Sequence, residues 1–309
     1  MSERCVARAT DAAKPSLSAR ISNTVHPPGY VVAPSGWDWQ QVNPFANDGR
    51  YGPDWSFFQI LDRGGTNYYN GSNDRGMYAL RAERDVAHLN ERLADWIRYE
   101  TRHGRTVIVQ MPLDVDAHQH VTQCLHETPA EHVVRAYDPR WVVHSTSLAS
   151  WERIRACGEL CSYARLQRAG YKTPGVGFWE LGEPADYAEH IMVGTVESLS
   201  SEHVVSSQQK GVICTKEHTP YTPGARLYFD LQAILRDRLG VRDGAHVIKV
   251  HERLPLMPYL VAAIDVAQVD PLHQVGTWTP NSFLGAANAR FYEIIADSNG
   301  PDAPHKEEA

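Results

Sequence analysis

Short apolar runs, separated by turn residues and brief helical patterns, dominate the second half of this chain and constrain its fold most. The runs are Trp141–His144, Arg226–Asp230 and Ala245–His251, and in the second of them Leu227 and Phe229 alternate with other residues. Regular βαβ units would place longer helical segments between the strands. The pattern therefore predicts an α+β fold with a mixed or antiparallel sheet.

The first half contains the clearest helical pattern. Apolar residues recur at spacings of three and four between Ala82 and His103, and Gly104 ends the pattern. A buried strand is predicted over Thr106–Met111. The stretch from Asp114 to Arg135 has a helical pattern in two pieces.

Weaker patterns predict further elements in the second half. Hydroxyl side chains at positions 145–147 precede a short helix that Gly158 ends. Helices are also predicted over Asp186–Met192 and Gln232–Leu239, and strands over Pro174–Trp179, Val204–Ser207 and Gly211–Cys214.

Composition excludes several broad classes of protein. The 309 residues carry a formal charge of −7, which disfavours a strongly basic binder of nucleic acid. No apolar run is long enough to span a membrane, and the first residues do not resemble a secretory signal. The five cysteines form no Cys-x-x-Cys pair, so we expect free thiols in a cytoplasmic protein rather than a zinc site on Cys157 and Cys161.

Composition along the chain suggests four segments. Residues 1–28 and 298–309 are predicted to be disordered tails. Residues 29–137 are interpreted as an accessory region, made of an aromatic loop and the amphipathic helix. Residues 138–297 are interpreted as the catalytic core, with the break at Tyr137-Asp138-Pro139.

The aromatic stretch before Tyr78 supports two interpretations. It is either a loop that lines a ligand site, or a surface loop packed by its own aromatic rings. In the first case the protein could be a hydrolase of carbohydrates or nucleosides. Its stacking residues would be Trp37, Trp39, Trp55, Tyr68 and Tyr69, and its acid and base would come from Asp38, Asp54 and Asp62.

The common signatures of phosphate binding, zinc proteolysis and serine hydrolysis are not present in the sequence. What remains is a histidine at the end of a predicted strand. His144 is followed by Ser145 and Thr146, and then by the short helix. The position indicates either a ligand-binding side chain or a histidine that bonds only to the backbone.

The segment Trp141–Leu160 resembles the first strand and helix of the ADP-ribosyltransferase fold. The nearest branches are the RNA 2′-phosphotransferases and the DNA-modifying toxins. Arg226–Asp230 and His246–Val250, followed by Leu254–Tyr259, resemble the last strands of those branches in order and spacing. The resemblance covers about residues 139–259 and implies an ADP-ribosyltransferase-like core of short strands and brief helices.

The resemblance also implies site residues. His144 and Thr146 would bind NAD, which is a substrate here, and no metal is expected. A cleaved nicotinamide–ribose bond develops oxocarbenium character, so a carboxylate beside the ribose would stabilise it. The catalytic candidates are His144, Glu202 and His246, and Glu252 is a further choice for the carboxylate. Tyr163 or Tyr221 would stack on nicotinamide, and Arg226, Arg153, Arg165 or Arg168 would hold the pyrophosphate.

Three functions follow in order of preference. The first is transfer of ADP-ribose from NAD, or a related phosphotransfer, to a nucleic acid, a nucleobase or a protein. The second is the hydrolase built on the aromatic stretch. In the third, a non-catalytic binding module, His144 only caps a turn.

Overall fold

A computed structural model describes residues 29–34, 36–38, 41–62, 68–72, 77–112, 114–171, 183–272 and 274–298. The predicted N-terminal tail, residues 299–309 of the predicted C-terminal tail, the predicted strand Pro174–Trp179 and Trp39 lie outside these residues. Ser298, the first residue predicted for that tail, is the last residue of a helix. Only the backbone is described for Tyr68 and Tyr69. Within the described residues, no helix has the length and apolar character needed to cross a membrane.

The N-terminal region (residues 29–137) is built on a five-stranded sheet with the order β1-β5-β2-β4-β3. Strands β1, β5, β2 and β4 run parallel, and β3 pairs with β4 in the antiparallel direction. The bounds are β1 Tyr30–Val32, β2 Trp55–Leu61, β3 Tyr68–Ser72, β4 Met77–Glu83 and β5 Thr106–Gln110. A parallel sheet was not expected from the sequence.

The described part of the aromatic stretch is a loop followed by strands: residues 41–54 form turns without regular secondary structure, and β2 begins at Trp55. Its apolar residues form β2 and pack a core beneath the sheet: Trp37 and Trp55 are 6% and 9% exposed. Trp37 contacts the ring of Phe57 edge-on, with centroids 5.4 Å apart, and Tyr51 joins the same core. The burial of this apolar area, and not a ligand, accounts for these rings.

Helices α1 (Leu89–Arg102) and α2 (Ala117–Glu127) follow β4 and β5. The apolar face of α1 is buried, as the spacing predicts, and the helix ends before Gly104, which has a φ of 81°. The predicted start at Ala82 is wrong because residues 77–83 form β4. The second predicted piece of helix, before Arg135, is a series of turns.

The C-terminal region (residues 138–298) is built on a six-stranded sheet with the order β10-β11-β8-β6-β9-β13. All its neighbouring strands are antiparallel. The bounds are β6 Trp141–Thr146, β8 His190–Thr195, β9 Ala225–Asp230, β10 Gly240–Val241, β11 Ile248–His251 and β13 Leu260–Asp265. A small sheet pairs β7 (Glu159–Cys161) with β12 (Arg253–Pro255). The α+β class is confirmed.

Short helices connect or follow these strands, and a longer helix comes last. They are α3 Leu148–Cys157, α4 Tyr163–Arg168, a 3₁₀ helix Ala185–Glu189, α5 Ser200–Lys210, α6 Leu231–Arg236, α7 Val266–Val269 and α8 Pro280–Ser298. The predicted caps of α3 are confirmed: the Ser147 side chain accepts from the Ser150 N–H, and Gly158 has a φ of 78°. The Ser147 side chain and the left-handed Gly158 both give hydrogen-bond partners to backbone groups at the ends of the helix.

Four predictions in this region are wrong. The strand candidates Val204–Ser207 and Gly211–Cys214 fall in or just after α5, because Val205 packs inward from a helix while Val204 stays exposed. The predicted helix Asp186–Met192 is a 3₁₀ turn followed by β8. His246 lies before β11 instead of opening it.

The two faces of the antiparallel sheet carry different cores. Val142, His144 and Thr146 of β6 point to one face, on which Leu227 and α3 pack. Val143 and Ser145 point to the opposite face, which α5 and α8 cover at the β9 end. The N-terminal region covers the β11 end of that opposite face through α1.

Candidate functional site

Strands β6 and β8 of the antiparallel sheet separate from each other beside His144, and we name this point the fork. The ladder between β6 and β8 has two pairs, Val142 with Thr195 and Val143 with Gly194. Beyond these two pairs, β8 remains paired with β11, and β6 remains paired with β9 as far as Thr146. Strands that separate in the middle of a sheet leave backbone groups that need other partners.

The His144 ring lies at this fork. Its Nδ1 atom is 3.2 Å from the carbonyl oxygen of Met192 on β8. Because a carbonyl only accepts, Nδ1 carries the proton and Nε2 is the nitrogen with a free lone pair. Burial lowers the pKa of His144, so the ring is neutral at pH 7.

His144 and Thr146 are both half-buried, whereas Val142 and Val143 before them are fully buried. The end of β6 that carries these two side chains is therefore partly open to solvent, and we name this place beside His144 the His144 recess. Gly224, just before β9, lies close to it, because a Cβ there would stand 1.7 Å from the Thr146 carbonyl oxygen. Only glycine lets the two chain segments approach this closely.

Four polar side chains form a buried cluster on the opposite face of β6, which we name the Glu202 cluster. It consists of Ser145, Glu202, Tyr221 and Arg226. The Glu202 carboxylate accepts from Ser145 Oγ at 2.5 Å, from Tyr221 Oη at 2.7 Å and from Arg226 at 3.0 Å. Glu202 and Arg226 are both 0% exposed.

The Glu202 cluster brings together three of the site residues predicted from sequence, but away from the His144 recess. Arg226 also donates to the Val196 carbonyl oxygen at 2.6 Å, so its guanidinium lies in the core and not beside a pyrophosphate. Glu202 lies on α5, and the expectation that it precedes a strand is wrong. Burial and the Glu202 carboxylate raise the pKa of Tyr221, which holds this phenol in its protonated, donating form.

His246 belongs to a different cluster, where the two regions meet. Its Nδ1 atom is 2.9 Å from the Asp243 carboxylate, whose other close neighbour is Lys249 Nζ at 2.7 Å. Burial opposes the charge of Asp243, but Lys249 and His246 together lower its pKa. Lys249 lies against the Tyr187 ring, with 2.9 Å between Nζ and the ring centroid.

Across the boundary, α1 contributes Tyr99 and Glu100 to this inter-region cluster. Tyr99 Oη donates to Asp186 at 2.8 Å, and Arg105 bridges Glu100 at 2.5 Å and Asp186 at 2.6 Å. The side chain of Glu100 is fully buried. His246 is therefore part of a packed boundary rather than of the His144 recess.

The remaining candidates from sequence are surface residues. Tyr163 starts α4, and its hydroxyl accepts from Gln167 at 2.7 Å. Glu252 stands in a turn with a φ of 57° and pairs with Arg168 at 2.6 Å and Arg165 at 3.5 Å. Arg153 is exposed on α3.

The hydrolase interpretation loses its stacking residues where they are described. Trp37 and Trp55 are core residues, and Asp54 is exposed at the turn before β2. Asp62 pairs with Arg84 at 2.9 Å. Asp38 lies beside the buried Trp37, in the loop before β2.

Sequence reasoning missed Ser145, Asp243 and Lys249. Ser145 stands between two residues that the sequence singled out, but on the other face of the strand, which its position in the alternation of β6 could have indicated. The buried charges of Asp243 and Lys249 carry no local signal, because only the packing of α1 against β11 buries them.

No group of three or more histidine, cysteine, aspartate or glutamate side chains within the described ranges is arranged to hold a metal ion. No protein-family model, curated protein or solved structure matches this chain.

Proposed function

We propose that this protein transfers ADP-ribose from NAD to an acceptor, and that the recess beside His144 binds the nicotinamide end of NAD. The observation that supports the proposal is the fork between β6 and β8, with a neutral histidine held in it by Met192. The acceptor is a nucleic acid, a nucleobase or a protein, as the resemblance implies.

The recess has groups that suit the nicotinamide riboside part of NAD. His144 Nε2 can accept a hydrogen bond from a ribose hydroxyl, since Nδ1 is already paired with the Met192 carbonyl. A carboxamide both donates and accepts, so it can pair with backbone groups where the ladder ends. Thr146 adds a hydroxyl on the same face of β6.

In the reaction, the bond between the nicotinamide nitrogen and ribose C1′ breaks, and C1′ forms a bond to the acceptor nucleophile. Nicotinamide leaves neutral with the bonding electron pair, and the acceptor releases a proton. The transition state has oxocarbenium character, as in the cleavage of glycosides. We assign Glu202 to positioning β6 through Ser145, since its carboxylate lies on the opposite face of that strand.

Nicotinamide release from NAD tests the proposal. The full chain is incubated with NAD and candidate acceptors, and free nicotinamide is measured by chromatography. We expect His144→Ala to lower release at least about a hundredfold, the scale on which a single well-placed group contributes. His126→Ala, an exposed change on α2, is the matched control and should leave release unchanged.

Calorimetric titration with NAD separates binding from turnover. We expect His144→Ala and Thr146→Val to weaken NAD binding while their melting temperatures stay close to that of the unchanged protein. No binding of NAD by the unchanged chain, or equal turnover by His144→Ala, would refute the proposal.

A further inference from the structure

A second recess lies in the N-terminal region, at the edge where β2, β4 and β5 end. It is a cavity of about 520 Å³ bounded by Ile60 of β2, by Arg84 and Val86 after β4, and by Met111 and Pro112 after β5. These strands are parallel, so their carboxyl ends meet at one edge of the sheet. Open α/β sheets bind their ligands at this edge, and the volume is typical of small-molecule sites.

The helices that follow β4 and β5 complete the wall. The first turn of α1 lines the cavity with Leu89, Asn90 and Glu91, and α2 adds His120. His88 precedes α1 with a φ of 58° and gives it no side-chain cap. The leading N–H groups of a helix have no partner within it, so hydrogen-bond donors stand at this wall.

The charges around the cavity have a negative balance. Arg84 forms two hydrogen bonds with Asp114, at 2.7 and 3.0 Å, and lies 2.9 Å from Asp62. One guanidinium thus faces two carboxylates, and Glu91 adds a third negative charge, 4.0 Å from His88. A wall of this kind repels a polyanion such as a nucleoside triphosphate.

The polar groups that remain suit hydroxyls. A hydroxyl can donate to the Glu91 carboxylate and accept from a helix N–H at the same time, which neither an ammonium nor a phosphate can do. Beside them, Ile60, Val86, Met111 and Val115 offer an apolar wall that fits a flat ring. A ligand with a flat ring and adjoining hydroxyls, but without a large negative charge, meets all these features.

We propose that this cavity binds a nucleoside, with the base against the apolar wall and the ribose hydroxyls at Glu91 and the first turn of α1. The inference does not depend on NAD binding, because the cavity and the His144 recess belong to different sheets. The two sites should therefore respond to different substitutions.

Calorimetric titration of the full chain with adenosine, guanosine, cytidine and uridine tests the proposal. We expect at least one of them to bind with a micromolar Kd. Met111→Trp, which fills the cavity, should abolish binding. Glu91→Gln should weaken it about tenfold, which is about 1.4 kcal/mol.

Two controls keep the result specific. Glu127→Gln changes an exposed carboxylate at the other end of α2, where it pairs with Gln123, and should leave the Kd unchanged. His144→Ala should also leave nucleoside binding unchanged. Thermal melting of each variant checks that the fold is kept.

Four results would overturn the proposal: no binding of any of the four nucleosides, tighter binding of ATP than of adenosine, equal binding of free ribose, or a Kd that neither Met111→Trp nor Glu91→Gln changes. If nucleosides bind but NAD turnover is not found, this inference stands and the proposed function fails. If NAD turnover is found but no nucleoside binds, only this inference fails.

Discussion

Two buried clusters of charge lie on the same face of the antiparallel sheet and stabilise different features. The Glu202 cluster is closed within the C-terminal region, where the Arg226–Glu202 pair anchors Ser145 and so the end of β6. The inter-region cluster instead joins β11 to α1, through Lys249 against Tyr99 and Tyr187. The Glu202 cluster therefore holds the end of β6, and the inter-region cluster holds the C-terminal region against α1.

The clusters also differ in how many hydrogen-bond donors surround the buried carboxylate of each. In the Glu202 cluster, Glu202 has Arg226 as its cation and two hydroxyl donors, those of Ser145 and Tyr221. In the inter-region cluster, Asp243 has Lys249, His246 Nδ1 and two backbone N–H groups, those of Ala245 and His246. Asp243 therefore keeps three donors without Lys249, whereas Glu202 keeps two without Arg226, and hydrogen bonds to a carboxylate favour its charged form.

The largest loss of free energy of unfolding is expected for Arg226→Met. It leaves the Glu202 carboxylate buried without its cation, which costs about 3–5 kcal/mol in comparable cases. Urea unfolding measures the loss of free energy of unfolding. Arg153→Met, at an exposed arginine, is the control and should stay within about 0.5 kcal/mol. A loss below about 1 kcal/mol, the scale of an exposed ion pair, would contradict the account of the Glu202 cluster.

A smaller loss is expected for Lys249→Met, about 1–3 kcal/mol, the scale for a weakened buried polar group. The methionine fills similar space between the two tyrosine rings, and Asp243 keeps its three other hydrogen-bond donors. The same urea titration applies, with the exposed Lys216→Met as control. If Lys249→Met proves as damaging as Arg226→Met, the proposed difference between the clusters is wrong.

The smallest change in the free energy of unfolding near neutral pH is expected from protonation of the buried histidines. Burial lowers the pKa of His144, His190 and His203. Between these lowered values and the unfolded pKa of about 6.5, the unfolded chain binds more protons than the folded one. The free energy of unfolding should therefore fall as the pH drops below about 6.5, and should not depend on these groups above it.

Urea unfolding at a series of pH values between 5 and 8 measures this slope. His144→Ala should make the decrease shallower, since one of the three groups is removed. An unchanged slope would show that His144 is protonated as easily in the folded chain as in the unfolded one. That result would also remove the neutral Nε2 acceptor from the proposed site.

The predictability of the fold differs between its elements. Helix α1 follows from periodicity, because one buried face repeats every three to four residues. Strand β9 follows from its short apolar run between turn residues, although both of its faces are buried. The caps of α3 follow from Ser147 and Gly158. Helix α5 was mistaken for strands because paired valines favour strands only where both faces are covered, and Val204 is exposed.

The candidate site was predictable in part. The His-x-Thr spacing placed His144 and Thr146 on one face of a strand, which is a local property. The direction in which Glu202, Tyr221 and Arg226 point is not local, because it depends on which face of the sheet α5 and α8 cover. Burial on that face gave these residues a structural cluster instead of an open cleft.

The sequence by itself determined β6, α3, β9, α6 and the approximate place of β11 in the C-terminal region, since side-chain periodicity and caps act over a few residues. Only the tertiary structure decided the parallel sheet around Trp55, the fork at His144 and the cavity beside Arg84. Each of these depends on pairing between segments far apart in the chain, and the free energy of that pairing comes from burial that no single segment can provide.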